Sequence, residues 1–344
     1  MDLVRVEHSA KKYKSWVRIE WNMGKRCNFD CSYCGADLHD NTSKHMPLES
    51  FEYTIKTLRE FYKDKKIRMS LTGGEPFVHP QILDILALFK KYNVDETSII
   101  SNGSLPLEKY TKALEYIDNI IFSWHFEHLR IPHMKEVLLG LKDKAKHIHV
   151  HLMYLPGRLD EVKGVVDWLQ TNDIQYVMRR IRPMTNKQGE FNPPGASGME
   201  FEGVQWGGAT GYYNDEELEY LDSFNKAGTN KENCELWTKE KNWLDNVNTL
   251  TKNKWNTFKG WKCMAGLETL MIDNDGSVYR ATCKQGGILG NIETGFTLEQ
   301  DPILCAKQWC NCAADLNTTK WKEHVREILF KPMASYEYKQ QRYD

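Results

Sequence analysis

The sequence predicts an α/β chain: a partial (β/α)6 barrel of the TIM type, followed by a small α+β unit at the C-terminus. Three observations carry this. Between Trp16 and Ile181, six strand-like apolar runs alternate with amphipathic helical segments, and such alternation implies right-handed crossovers and a parallel sheet. Six units fall short of the eight, and of the roughly 250 residues, that a closed barrel takes, so the barrel is expected to stay open. A flat, doubly wound sheet is the alternative. Beyond Gly266 the pattern changes to a β-hairpin surrounded by cysteines.

Each element has its own signal. Residues 1–15 read as a polar arm. Val17, Ile19 and Trp21 alternate with Trp16, Arg18 and Glu20, the period of a strand. Leu48 to Tyr62 repeats Phe51, Ile55, Leu58 and Tyr62 on one helical face, after a Pro47 suited to a helix start. Strands follow at 67–71, 97–101, 120–124, 147–154 and 174–181, with helices between them at 80–91, 107–116, 133–142 and 159–170. Glycines and prolines from Thr185 to Gly211 mark a loop-rich linker or lid. Tyr213 to Phe224 predicts an acidic helix, residues 233–243 a further helix, and Thr318 to Phe330 a closing helix. Thr269 to Ile272 and Ser277 to Ala281, joined by Asp273-Asn274-Asp275-Gly276, predict the hairpin. The boundaries expected are an arm over 1–15, the barrel over 16–184, a linker or lid with helices over 185–260, and the C-terminal unit over 261–344.

Composition excludes several function classes. The 344 residues carry a formal net charge of -1, which exerts no general pull on nucleic acid or membrane. No apolar run approaches the roughly 20 residues of a membrane span. The first residues lack the apolar stretch of an export signal. Nine cysteines, an odd number clustered at short spacings, point to metal ligation in a reducing, cytoplasmic setting and not to a disulfide framework. Tryptophan is frequent, with 11 residues. Those at 206, 237, 243, 255, 261, 309 and 321 either line a groove or fill the core of an irregular region.

Two motifs carry chemistry in the barrel. Cys27, Cys31 and Cys34 stand at C-x3-C-x2-C spacing directly after the first barrel strand. Three thiolates on one short loop suit three irons of a cubane and leave the fourth open. A structural zinc site completed by His39 or His45 is the alternative. One βα unit later, Gly73-Gly74-Glu75-Pro76 ends the second barrel strand, on the face where barrels of this type place their chemistry. The glycines let a ligand approach the backbone closely, and the glutamate offers a carboxylate.

Together these motifs resemble the radical S-adenosylmethionine (radical SAM) superfamily over about residues 16–182. Its Cys-x3-Cys-x-aromatic-Cys signature is matched by Cys27, Cys31, Tyr33 and Cys34, and its Gly-Gly-Glu motif by Gly73, Gly74 and Glu75. The resemblance implies a [4Fe-4S] cluster on Cys27, Cys31 and Cys34, with S-adenosylmethionine chelating the fourth iron. Gly73, Gly74 and Glu75 would hold its amino group, and Tyr33 would lie near the adenine. Ser101 and Asn102, in a Ser-Asn-Gly sequence, and Ser123 are further cofactor-binding candidates. His125 stands where relatives often carry Asp, a departure that bears on the ribose contact. The chemistry implied is reductive cleavage to a 5′-deoxyadenosyl radical that takes a hydrogen from substrate, with a reducing partner such as flavodoxin or ferredoxin.

The C-terminal cysteines resemble a SPASM or twitch auxiliary-cluster domain. Cys263, Cys283, Cys305, Cys310 and Cys312 are five, enough for a single second [4Fe-4S] cluster. The first choice of ligands is Cys263, Cys283, Cys310 and Cys312, with Cys305 as the substitute; a closed zinc site is the alternative. Cys234 reads as a buried inert thiol. His147, His149 and His151 share one strand face and offer substrate contacts or a plain polar face. Arg179, Arg180 and Arg182 offer anion contacts or surface salt bridges. The resulting expectation is an oxidoreductase or maturase that modifies a peptide or protein. The alternatives are a dehydrogenase of a sugar or other small molecule, and a non-enzymatic metal scaffold or electron carrier. Catalytic residues are not assigned.

Overall fold

The computed structural model describes residues 2–9, 15–31, 33–34, 38–181, 200–201, 204–205, 213–226, 233–310 and 312–322. The elements run β1 (Arg5–His8), β2 (Trp16–Asn22), α1 (Leu48–Phe61), β3 (Lys66–Thr72), α2 (Ile82–Lys91), β4 (Glu96–Ser101), α3 (Leu107–Ala113), β5 (Asn119–His125), α4 (Ile131–Leu141), β6 (His147–Tyr154), α5 (Leu159–Thr171) and β7 (Gln175–Arg180). They continue with β8 (Glu200–Phe201), β9 (Val204–Gln205), α6 (Asp215–Lys226), β10 (Asn233–Trp237), β11 (Asn242–Asn246), α7 (Val247–Lys252), β12 (Lys262–Cys263), β13 (Thr269–Ile272) and β14 (Ser277–Tyr279). The last are β15 (Ile288–Asn291), β16 (Gly295–Phe296), β17 (Ile303–Leu304), α8 (Ala313–Leu316) and β18 (Lys320–Trp321).

Strands β2 to β7 pair in sequence order and in parallel. Their register puts Val17, Ile19 and Trp21 of β2 beside Ile67, Met69 and Leu71 of β3, all buried. These side chains meet the helices. Helix α1 presents Phe51, Ile55 and Leu58 to them, and α2 presents Ile82, Ile85, Leu86 and Phe89, the spacing of an amphipathic helix on a sheet. Trp21 stacks on Phe51 with centroids 4.7 Å apart. The opposite face, carrying Arg18, Glu20, Ser98, Ser123, His149 and His151, lines the barrel interior by strand alternation.

The barrel is open, as expected, but a seventh parallel strand joins it. β13 pairs in parallel with β2, Leu270 opposite Ile19, and the hairpin β13–β14 extends the sheet outward through β15 and β16. The predicted hairpin therefore forms part of the barrel wall. Tyr62 fixes this junction by donating its hydroxyl hydrogen to Gly266 O at 2.6 Å.

Three expectations are corrected. The polar arm is not free: β1 sits in the middle of a second, antiparallel sheet ordered β11-β10-β1-β18-β12-β17, with Val4 and Val6 buried. Residues 233–243 form the hairpin β10–β11 and not a helix, with Cys234 opposite Asp245. Cys234 and Leu236 are buried in alternation with Glu235, a period-2 signal in a segment too short to tell from a helix. The start of the proposed closing helix is strand β18, held between β1 and β12; residues 323–330 lie outside the described residues. Most of the loop-rich stretch 185–211 lies outside them too, and so does Arg182.

Among the described residues no helix is long and apolar enough to cross a membrane. Replacing Trp21 by Ala removes the largest side chain at the root of the cysteine loop. The expected cost is about 3–5 kcal/mol, read as a lowered denaturant midpoint with an unchanged slope.

Candidate functional site

The cysteine loop grows from the C-terminal end of β2 and is tied at its root to the end of β3. Met23 N donates to Thr72 O at 2.8 Å, Gly74 N to Gly24 O at 2.9 Å, and Glu75 N to Arg26 O at 2.8 Å. Gly73 adopts φ +128, and a Cβ there would lie 2.7 Å from Gly24 O. A Cβ on Gly74 would lie 2.2 Å from Arg26 O and 2.5 Å from Lys25 O, inside any allowed contact. The two glycines are thus required by the packing of the loop itself. Asp40 closes the other limb: its carbonyl accepts from Cys27 N at 2.7 Å, and its own N donates to Lys25 O at 2.9 Å.

Glu75 does not project its carboxylate into open space. Oε1 accepts from Phe77 N and Ser101 Oγ, both at 2.9 Å, and Oε2 accepts from Asn102 N at 2.5 Å. Burial pushes its pKa up to about 7, against the pull of these donors. The side chain expected near the cofactor amine joins the ends of β3 and β4. Asn102 extends the chain of contacts: its Nδ2 donates to Asn28 Oδ1 at 2.9 Å and lies 3.9 Å from Cys27 Sγ. Glu75, Ser101 and Asn102, picked separately from the sequence, are therefore one hydrogen-bonded unit supporting Cys27.

The rest of the loop meets the end of β5. Tyr33 Oη lies 2.5 Å from His125 Nδ1, the rings stack at 6.0 Å, and Cys31 Sγ is 3.7 Å from the same nitrogen. Burial holds His125 neutral, with a pKa lowered to about 4, and pushes the Cys31 thiol up to about 12. His125, which departs from the expected pattern, is thus the partner of the aromatic residue in the cysteine motif. The histidines proposed to complete a zinc site have other partners: His39 Nε2 meets Asp30 Oδ1 at 2.9 Å, and His45 lies against His79 with centroids 4.6 Å apart. Deeper in the barrel, His149 and His151 share the interior face, their rings 5.2 Å apart, and Arg179 Nη2 lies 3.2 Å from His151 Nε2. Ser123 stands opposite His151 in the sheet register.

The second constellation is a cavity at the C-terminal unit, lined by Cys263, Cys283, Cys305 and Cys310 together with Asp315 and Lys320. Cys312 does not line it; it caps α8. The four thiols come from separate places: β12, the segment after β14, the end of β17 and the loop before α8. Burial raises Cys263 to about 11, Cys283 to about 12, and Cys310 well above its usual range. Thiolates held there need a cationic partner.

The spacing of the donors tests what that partner is. Tetrahedral zinc, with Zn–S near 2.3 Å, holds its sulfurs about 3.8 Å apart. Among the described residues, Cys31, Glu127 and His128 are the group of three such donors lying within 4.8 Å of one another. Neither the Cys27, Cys31 and Cys34 set nor the C-terminal set is drawn in so tightly. The three-thiol loop suits the three protein ligands of a cubane.

Residues 21–169 match the sequence profile of the Radical SAM superfamily. This stretch, somewhat under half of the chain, is a radical SAM domain. Such a domain implies a [4Fe-4S] cluster and S-adenosylmethionine. Among curated relatives, the chain is 29% identical over 110 residues to a probable GTP 3′,8-cyclase of Thermoplasma volcanium, covering 32% of this chain and 32% of that protein. It is 30% identical over 122 residues to an S-adenosylmethionine-dependent nucleotide dehydratase of Danio rerio, covering 34% and 33%. The matches thus span about a third of the length of these relatives. Among solved structures, anSMEcpe with bound AdoMet and Kp18Cys peptide is similar at 15% identity and TM-score 0.52, covering 82% of this chain and 79% of that one. Streptococcus suis SuiB bound to precursor peptide SuiA is similar at 15% identity and TM-score 0.52, covering 83% and 65%. These likenesses establish the fold.

Gly74→Ala is expected to displace the cysteine loop, because the colliding atoms are backbone carbonyls. The check is iron bound per chain after anaerobic reconstitution, which should fall well below wild type while far-UV dichroism is retained. Glu75→Gln replaces an acceptor by a donor against the Asn102 or Ser101 and Phe77 donors. It should destabilise the protein by about 1–3 kcal/mol, measured by denaturant unfolding.

Proposed function

We propose that this radical SAM enzyme binds its catalytic [4Fe-4S] cluster on Cys27, Cys31 and Cys34, and a second [4Fe-4S] cluster in the C-terminal cavity, and that it modifies a peptide or protein. The observation that carries the proposal is the convergence of four thiols on one cavity, those of Cys263 and Cys310 buried and those of Cys283 and Cys305 half-buried, in a chain whose barrel already presents the three-thiol loop. The C-terminal unit is read as a shortened SPASM or twitch-like domain over 261–344, after a linker or lid over 185–260. The cavity favours Cys305 in place of Cys312 as the fourth ligand.

When bound, the reduced cluster supplies the electron that cleaves S-adenosylmethionine to methionine and the 5′-deoxyadenosyl radical, which takes a hydrogen atom from the substrate. The chain's own residues orient and exclude. The Glu75, Ser101 and Asn102 unit holds the loop root beside the ends of β3 and β4. Backbone at Gly73 and Gly74 borders the place of the cofactor amine. The Tyr33–His125 pair closes the β5 side, where the adenine is assigned. Ser123, His149, His151 and Arg179 line the interior beneath and face the substrate. A flavodoxin or ferredoxin in the cytoplasm is the assigned reductant.

Peptide modification is favoured by the fold shared with structures that hold peptides and by the open barrel edge. The second reading, a small-molecule or nucleotide reaction, is favoured by the relatives named for nucleotide chemistry.

The test is iron and sulfide per chain in anaerobically reconstituted protein, for the wild type and for the Cys27, Cys31 and Cys34→Ala triple variant. About eight irons falling to about four, at four per cubane, is the expected result. Four falling to none removes the second cluster; zinc without iron removes the radical reading. Iron loading of the C-terminal set should weaken as pH falls, because each raised thiol must lose its proton to ligate. Competition with a chelator across a pH series reads this directly.

A further inference from the structure

The C-terminal cavity contains a charge that thiol ligation does not require. Lys320, in β18, is buried. Its Nζ donates to Asp315 O at 2.6 Å and to Leu316 O at 2.9 Å. It lies 4.8 Å from the centre of the Phe258 ring and 3.9 Å from Cys310 Sγ. Two carbonyl acceptors and an aromatic face favour the ammonium form. The side chain is held in place, because Lys320 pairs with Val6 of β1 on one side and Cys263 of β12 on the other. A buried ammonium costs several kcal/mol unless negative charge faces it. The carboxylate lining the same cavity, Asp315, gives one oxygen to Cys283 N at 2.8 Å and leaves the other without a hydrogen-bond partner.

We infer that Lys320 sets the reduction potential of the iron–sulfur cluster carried by this cavity, as a positioning charge and not as a ligand. The inference rests on the reading that Cys263, Cys283, Cys305 and Cys310 hold a cluster. Cluster potentials follow net charge, hydrogen bonds to the sulfurs and exposure to solvent. One electron enters the oxidised cluster with no bond made or broken, so the cluster gains one negative charge. A fixed positive charge 3.9 Å from a ligand sulfur stabilises that reduced form in a medium that screens poorly. Lys320 therefore raises the potential and makes the cluster a better acceptor for an electron leaving a substrate radical.

The experiment is an electron paramagnetic resonance redox titration of full-length chain carrying Cys27, Cys31 and Cys34→Ala, so that one cluster is read, with and without Lys320→Met or Lys320→Gln. Both substitutions remove the charge; Gln keeps N–H donors for the carbonyls. The expected result is a potential lower by about 59 mV or more in both, a tenfold change in the ratio of reduced to oxidised cluster for a one-electron couple. An unchanged potential in a cluster-bearing variant overturns the inference and leaves the cluster assignment intact. A shift with Met alone assigns the effect to hydrogen bonding and also overturns it. Should Met fail to retain the cluster, the Gln variant decides; loss from both makes Lys320 a structural support and overturns the inference. A parent chain that binds no cluster overturns the cluster assignment itself.

Discussion

The constraint on which the catalytic end depends is the absence of two side chains. Gly73 and Gly74 let the end of β3 lie against the root of the cysteine loop, close enough for Gly74 N and Glu75 N to bond to Gly24 O and Arg26 O. A methyl group on Gly74 would occupy the space of the Arg26 carbonyl. With that contact made, Glu75 is carried into the layer between β3 and β4, where both of its oxygens find donors. Asn102 is then set beside Cys27. Geometry passes from backbone packing to a buried carboxylate and then to a thiol, and each step leaves little freedom because every polar group along it is engaged.

A second constraint acts at the other end of the chain. β1 and β18, separated by nearly the whole chain, pair at the centre of one antiparallel sheet. β12 adds to β18 and brings Cys263 with it. The cavity of four cysteines thus lies against a sheet that both ends of the described chain help to build, and Lys320 enters that cavity from its central strand. Long-range pairing of this kind has a high loop-closure cost, which iron binding to the converging thiols would offset.

The two units are joined and not merely tethered. β13 continues the parallel sheet past β2, Tyr62 reaches Gly266 from α1, and Arg18, on the barrel interior, lies 3.3 Å from Thr318 Oγ1. A charge or strain change at the C-terminal cavity therefore has a continuous packed route to the wall of the barrel.

The sequence by itself determined the barrel and both cysteine sets. Alternating Val17, Ile19 and Trp21, and helical repeats such as Phe51, Ile55 and Leu58, are local patterns that declare their partner surface. Thiols grouped on one short loop also declare themselves by spacing. Tertiary structure alone decided the rest. β1 and β18 are short, and they pair with each other from opposite ends of the described chain. That Cys305 lines the cavity of Cys263, Cys283 and Cys310 while Cys312 does not is a matter of packing, and spacing along the chain does not encode that. The internal engagement of Glu75, the pairing of Tyr33 with His125 and the placing of Lys320 beside Cys310 are contacts between distant segments. Each depends on how elements pack, and one-dimensional periodicity carries no record of it.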